Sequence, residues 1–173
     1  IIADASGVWR LDIETPEAGG PYELRIAGKN TITLRDVLIG EVWIASGQSN
    51  MEWPLAWSEK ADEEIASATN PRIRLLKIEK RTAVHPQEEC VGTWTTCTSE
   101  TIPMFSAVAY YFGKELQQEL DVPIGLIESA WGGTVAEAWT PREALEEGPE
   151  VLRPIVERLD RVCGNAKDME GAR

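Results

Sequence analysis

Val42-Trp43-Ile44-Ala45 runs directly into Ser46-Gly47-Gln48-Ser49-Asn50-Met51. Four apolar residues in a row, with no alternation, suit a buried strand of a parallel sheet. The small residues after them suit a tight loop. The pattern repeats at Ile124-Gly125-Leu126-Ile127, which leads through Glu128 to Ser129-Ala130-Trp131-Gly132-Gly133-Thr134. Between the two strands lies a helical period, with Phe105, Val108, Phe112, Leu116 and Leu120 on one face and Asp121-Val122-Pro123 as the stop. Strand, loop and helix alternate from Asp36 onward, so the expected class is α/β with a mainly parallel sheet.

The rest of the chain fits around this frame. A short helix is expected over 59–68, capped by Ser58 and stopped by Asn70-Pro71. Strands are expected over 73–78 and 92–96. Thr140-Pro141-Arg142-Glu143 has the form of a capping box with Pro at the first helical position. A helix should run from it to about Glu147, and another over 150–162, with 163–173 fraying. Upstream, residues 8–14, 22–26 and 32–34 alternate apolar and polar, as strands with one wet face do. Gly19-Gly20-Pro21 and Gly28-Lys29-Asn30 read as the turns between them. These first 36 residues are too few to bury a core alone and read as the end of a β domain.

Bulk properties narrow the function. The net charge of −12 repels phosphate backbones and anionic membranes, so neither nucleic acid nor membrane is an expected partner. No apolar run reaches the roughly 18 residues of a membrane span. Cys90, Cys97 and Cys163 fit no zinc spacing, and the chain has a single His. No Gly-rich phosphate cradle opens a helix. No metal and no cofactor is therefore expected. The chain begins Ile1-Ile2 rather than at an initiator Met, and reads as an excerpt or processed piece.

In open α/β sheets ligands sit beyond the carboxyl ends of the strands. The two loops there are chemically complementary. The first presents the Ser49 hydroxyl after Gly47, whose missing side chain permits an unusual backbone path. The second presents the N–H groups of Gly132 and Gly133 with no side chain in the way. A nucleophile beside free backbone donors is the core of an acyl-transfer site. Each loop alone is weak: Gly-Gln-Ser-Asn is not the Gly-x-Ser-x-Gly elbow, and serines and glycines are ordinary turn residues.

Residues 40–55, Gly-Glu-Val-Trp-Ile-Ala-Ser-Gly-Gln-Ser-Asn-Met-Glu-Trp-Pro-Leu, resemble the nucleophile segment of the sialate O-acetylesterase family, which belongs to the SGNH hydrolases. Residues 122–134, with Glu137-Ala138-Trp139 after them, resemble its second block, and 105–112 resemble its intervening helix. Residues 7–34 are similar to the end of the β-sandwich domain that precedes the catalytic domain in that family. The resemblance implies a three-layer α/β/α sandwich of SGNH-hydrolase, flavodoxin-like type with a mainly parallel sheet, preceded by a short antiparallel β segment and present only in part: residues 1–36 would end a β-sandwich domain, and 37–173 would form part of the catalytic domain. It implies that Ser49 is the nucleophile and that the amides of Ser49 and of Gly132 or its neighbour Gly133 hold the oxyanion. The substrate would be an O-acetylated carbohydrate, and the setting secreted, periplasmic or lysosomal. Gln48 and Asn50 would either contact substrate or fix the loop. Thr134 would either contact substrate or brace the glycine turn. Trp131 and Trp53 would either stack on a sugar or pack.

One part is absent. The family draws its base from an Asp-x-x-His motif, and this sequence has none: the residue three before His85 is Thr82. Serine is a poor nucleophile without a base. The chain alone is therefore expected to be nearly inactive, with the remainder of the catalytic domain lying past Arg173. A different class of function, a non-catalytic carbohydrate-binding module, stays open, as does a thiol hydrolase built on Cys90 or Cys97 with His85.

Overall fold

The computed structural model describes residues 2–83 and 87–170. Two sheets form. Strands β1 (Gly19–Ala27) and β2 (Thr31–Ile39) make an antiparallel pair joined through residues 28–30. The second sheet has the order β3-β6-β4-β5, from strands β3 (Glu41–Gly47), β4 (Asn70–Lys77), β5 (Trp94–Cys97) and β6 (Ile124–Ala130). Strand β6 lies between β3 and β4 and is parallel to both; β5 is an antiparallel edge. The expected α/β class with a mainly parallel sheet is the class observed.

The helices are α1 (Ser49–Glu52), α2 (Ala61–Ser67), α3 (Ala107–Leu120), α4 (Arg142–Glu146) and α5 (Arg153–Glu170). Helix α3 starts at Ser106, whose side chain accepts the Ala109 N–H, and ends at Asp121 in a left-handed conformation. It lies on the face of the sheet that carries Ile73, Leu75, Ile124 and Leu126, and these side chains form the core with Tyr110, Ile102, Leu55 and Phe105. Gly113 permits the close approach, since a Cβ there would sit 2.7 Å from the Leu126 side chain. The opposite face of the sheet is open: Val42 and Ile44 of β3 are 60% and 69% exposed, and Trp94 of β5 is also exposed.

Several local expectations are corrected. Residues 8–14 form no strand, because no neighbouring strand offers them a ladder, and Val8, Trp9, Leu11 and Ile13 stay exposed. Gly19-Gly20-Pro21 is the irregular start of β1 rather than a turn. Strand β3 is parallel as expected but lies at an edge, so only Ala45 in it is buried. The buried face of α3 is Ala109, Tyr110, Gly113 and Gln117, not the stripe through Val108, Phe112 and Leu120, which is exposed. Gly113 in that face lets the helix sit close to Leu126, with Tyr110 filling the core beside it; Phe112 instead meets Trp43 edge-on at 5.1 Å over the flank of β3. Helix α2 is preceded by Lys60 in a left-handed conformation, not capped by Ser58, and Asn70-Pro71 opens β4 instead of ending a helix. Thr140 does not cap α4, which Pro141 precedes; it closes the short 3-10 turn Ala136–Trp139 instead, its hydroxyl donating to the Ala136 carbonyl. Helix α5 continues to Glu170 rather than fraying at 163.

The two sheets are joined covalently through Gly40 and electrostatically through Arg74 and Asp36. A Cβ on Gly40 would fall 2.0 Å from the Pro123 carbonyl oxygen, so only glycine lets β2 pass into β3 there. The Arg74 guanidinium donates to both Asp36 carboxylate oxygens at 2.7 and 2.8 Å. Such a fork-to-fork pair fixes orientation as well as supplying energy.

Candidate active site

The ladder between β3 and β6 sets Ser46 opposite Ser129 and Gly47 opposite Ala130. Both loops therefore leave the carboxyl edge of the sheet side by side. Gly47, at φ +145, turns the chain so that α1 begins at once with Ser49. The Trp131 N–H donates to the Gly47 carbonyl at 2.9 Å and ties the loops together. Ser49 is exposed, and a Cβ on Gly132 would lie 3.0 Å from its Oγ. The tertiary structure thus brings together Ser49 and Gly132, which are 83 positions apart in sequence.

The flanking residues divide. Gln48 donates its side-chain amide to the Thr134 carbonyl and so bridges the two loops. Thr134 Oγ1 donates to the Trp131 carbonyl at 2.7 Å and accepts from Trp139 Nε1 at 2.8 Å, which closes the glycine turn on itself. Asn50 is exposed on α1. Trp131 is partly buried, with the Lys80 ammonium 5.6 Å from its ring centroid. Trp53 is exposed and meets Trp57 edge-on at 5.5 Å. Gly133 adopts φ +78 with open space where a Cβ would be.

Sequence reading missed two carboxylates. Glu52, the last residue of α1, accepts the Gly132 N–H at 2.5 Å through Oε2 and pairs with Lys80 through Oε1. Lys80 first, and then the Gly132 amide, hold the Glu52 carboxyl below the usual carboxylate range against the opposing effect of burial. Glu52, Lys80 and Ala130 line an open cleft of about 480 Å³ with Lys77, Ile78, Glu79, Val91 and Gly92. Glu128, buried on β6, accepts the Ser106 N–H at 2.8 Å and pairs with Lys77 Nζ at 2.8 Å. A Glu in an otherwise apolar strand was the available signal for Glu128. The signal for Glu52 was weaker: a carboxylate three residues after the serine, hence on the same side of a helical turn.

The thiol alternative finds no support at Cys97, which is fully buried against the Ala68 carbonyl, with burial pushing its pKa up to about 11. Cys90 is an exposed free thiol. His85 lies outside the described residues. Among the described residues no group of three or more His, Cys, Asp or Glu side chains is placed to hold a metal. No helix among them is long and apolar enough to cross a membrane.

An α/β sheet with an exposed serine and a glycine turn at the carboxyl ends of adjacent parallel strands defines an SGNH-type fold, and comparison with known proteins agrees. The chain belongs to the carbohydrate esterase family of sialic acid-specific acetylesterases, whose model matches residues 39–170. Human sialate O-acetylesterase is 36% identical over 155 residues, covering 82% of this chain and 30% of that protein. The rat sialate O-acetylesterase is 30% identical over 179 residues, covering 91% of this chain and 33% of that protein. A crystal structure of a carbohydrate acetylesterase from Xanthomonas citri superposes with a TM-score of 0.80 at 41% identity, over 84% of this chain and 34% of that one. The chain thus spans about a third of the length of these relatives.

Proposed function

We propose that this chain carries the nucleophile half of a serine esterase that removes O-acetyl groups from a carbohydrate. The observation that carries the reading is the pairing of Ser49 with the Gly132-Gly133 turn across the β3–β6 ladder. Ser49 Oγ attacks the acetyl carbonyl while a base takes its proton. The carbonyl oxygen becomes an oxyanion held by backbone amides of the two loops, each such donor supplying about 2.7–4 kcal/mol. The sugar alkoxide leaves and takes the proton, giving acetyl-Ser49. Water, deprotonated by the same base, then releases acetate and restores the serine. The exposed ring of Trp53 and the partly buried Trp131 offer apolar walls for a sugar face.

The base lies outside these residues in this reading. Two facts support it: the sequence contains no Asp-x-x-His, and the sheet leaves Val42, Ile44 and Trp94 uncovered on one face, whereas parallel sheets are normally covered on both. Loss of the base in a serine hydrolase costs on the order of 10⁶ in turnover, so the 173-residue chain alone should hydrolyse activated acetyl esters only marginally. The missing base also gives weight to a second reading, a module that holds an acylated sugar without cleaving it. An organophosphonate separates the two on the whole protein: phosphonylation at Ser49, abolished in Ser49→Ala, supports the esterase, and an inert Ser49 supports the binding module. Full esterase turnover by the 173-residue chain would show that its base is internal.

A further inference from the structure

Glu52 and Ser49 are the two ends of the single turn of α1. The Glu52 carboxylate uses one oxygen on the Gly132 amide and the other on Lys80, and Lys80 also sits over the ring of Trp131, the residue before Gly132. An anion placed beside a developing oxyanion opposes it unless a cation neutralises that anion. Here Lys80 does so. The Gly132 N–H, engaged by a full carboxylate, is also spoken for. Gly133 is exposed, at φ +78, with nothing within 4 Å of where its Cβ would be, so a ligand can approach its backbone without a side chain in the way.

We propose that Glu52 is a positioning residue, which clamps the Gly132 peptide to the nucleophile helix and thereby leaves the oxyanion to the amides of Gly133 and Ser49. This rests on the esterase reading above and deepens it. Glu52 touches neither substrate nor reacting atoms in this role; it fixes the glycine turn relative to Ser49, where a misplacement of about 1 Å can cost roughly 100-fold in rate. The charged groups facing it are Lys80, Lys77 at the end of β4, and Glu79 on the wall of the same cleft, while Glu128 behind β6 is taken up by Lys77. With its pKa depressed by Lys80 and the Gly132 amide, the clamp stays charged at neutral pH. It loosens only as the pH falls through a value below the ordinary 4.5.

The clamp is read first without activity, by NMR of the protein labelled with ¹⁵N-glycine. The Gly132 amide proton should lie far downfield and move upfield on acidification below pH 4.5. In Glu52→Gln it should move upfield and lose its pH dependence, and in Ser49→Ala it should keep both properties. Kinetics on the whole protein with 4-nitrophenyl acetate then test positioning. Glu52→Ala should lower kcat by roughly 100-fold with KM nearly unchanged, and Glu52→Gln, which keeps an acceptor, should recover part of that loss. A Gly132 amide indifferent to pH and to Glu52→Gln overturns the clamp. An unchanged kcat, or a loss carried by KM, overturns the positioning role. A wild-type protein with no ester turnover sinks the esterase reading instead, and the amide titration still decides the clamp.

Discussion

Ser46 stands opposite Ser129 across the parallel ladder of β3 and β6, and this one register places the Ser49 loop and the glycine turn at a common edge. A slip of one residue would turn every side chain of β3 to the other face. Trp43 would then leave Phe112, and Ala45 would leave the core. The packing that fixes the sheet therefore also fixes the distance between Ser49 and the glycine turn.

That distance can be probed at Gly132. An added methyl would meet Ser49 Oγ and Glu52 Oε2, each at 3.0 Å, and both side chains must give way. Gly132→Ala should lower kcat for ester hydrolysis by the whole protein roughly 10- to 100-fold. Its urea midpoint should move little, because the contacts lie at the surface of the site. Steady-state kinetics and a urea melt check the two halves of this expectation.

Gly40 is the opposite case, far from the chemistry and intolerant of change. Its Cβ would fall 2.0 Å from the backbone oxygen of Pro123, which also accepts the Glu41 N–H at 3.0 Å. Backbone cannot swing aside as a side chain can. Gly40→Ala should destabilise by about 3 kcal/mol, at the upper end of overpacking costs. Denaturant unfolding with an unchanged m-value would measure it.

Glu128 and Lys77 stand opposite each other in the β4–β6 ladder, and the carboxylate is 1% exposed while the ammonium is half in water. Lys77→Met leaves Glu128 with the Ser106 N–H but no cation. Breaking a buried pair by removing one partner costs roughly 3–5 kcal/mol, and the wet end of Lys77 argues for about 3. The exposed Arg10–Asp12 pair supplies the contrast, with Arg10→Ala expected to change stability by about 0–1 kcal/mol. Urea melts of the two variants side by side decide between them.

Glu64 predicts part of the acid sensitivity of the fold. Lys114 first, then the Tyr110 hydroxyl at 2.7 Å, hold its carboxyl below the ordinary range. A depressed folded-state pKa means that this contribution is complete above the unfolded value near 4.5 and disappears as pH falls through the lower folded value. Thermal melts of the wild type should therefore lose stability on acidification below pH 4.5. Glu64→Gln should be less stable at neutral pH and show a shallower loss across that window. Parallel pH profiles for the two proteins would refute the assignment.

The sequence by itself determined the class of fold and the two chemical loops. Unbroken apolar runs before Ser46 and after Pro123 mark the two adjacent parallel strands, although only the second is interior to the sheet, and the flanking glycines mark where the chain turns. The residues around Ser49 and Gly132 also carried the family, since local order and spacing need no contact map. Tertiary structure decided the rest. Residues 8–14 alternate like a strand, yet without a partner they form none, because a ladder is a property of two segments. The apolar stripe of α3 was legible, but which stripe meets the sheet depended on how closely Gly113 lets the helix approach Leu126. Glu52 could not be distinguished from any other surface carboxylate until the fold set Gly132, 80 residues away, against its Oε2. Period and composition act along the chain, whereas a carboxylate that clamps an amide is created only when two distant segments share one edge of a sheet.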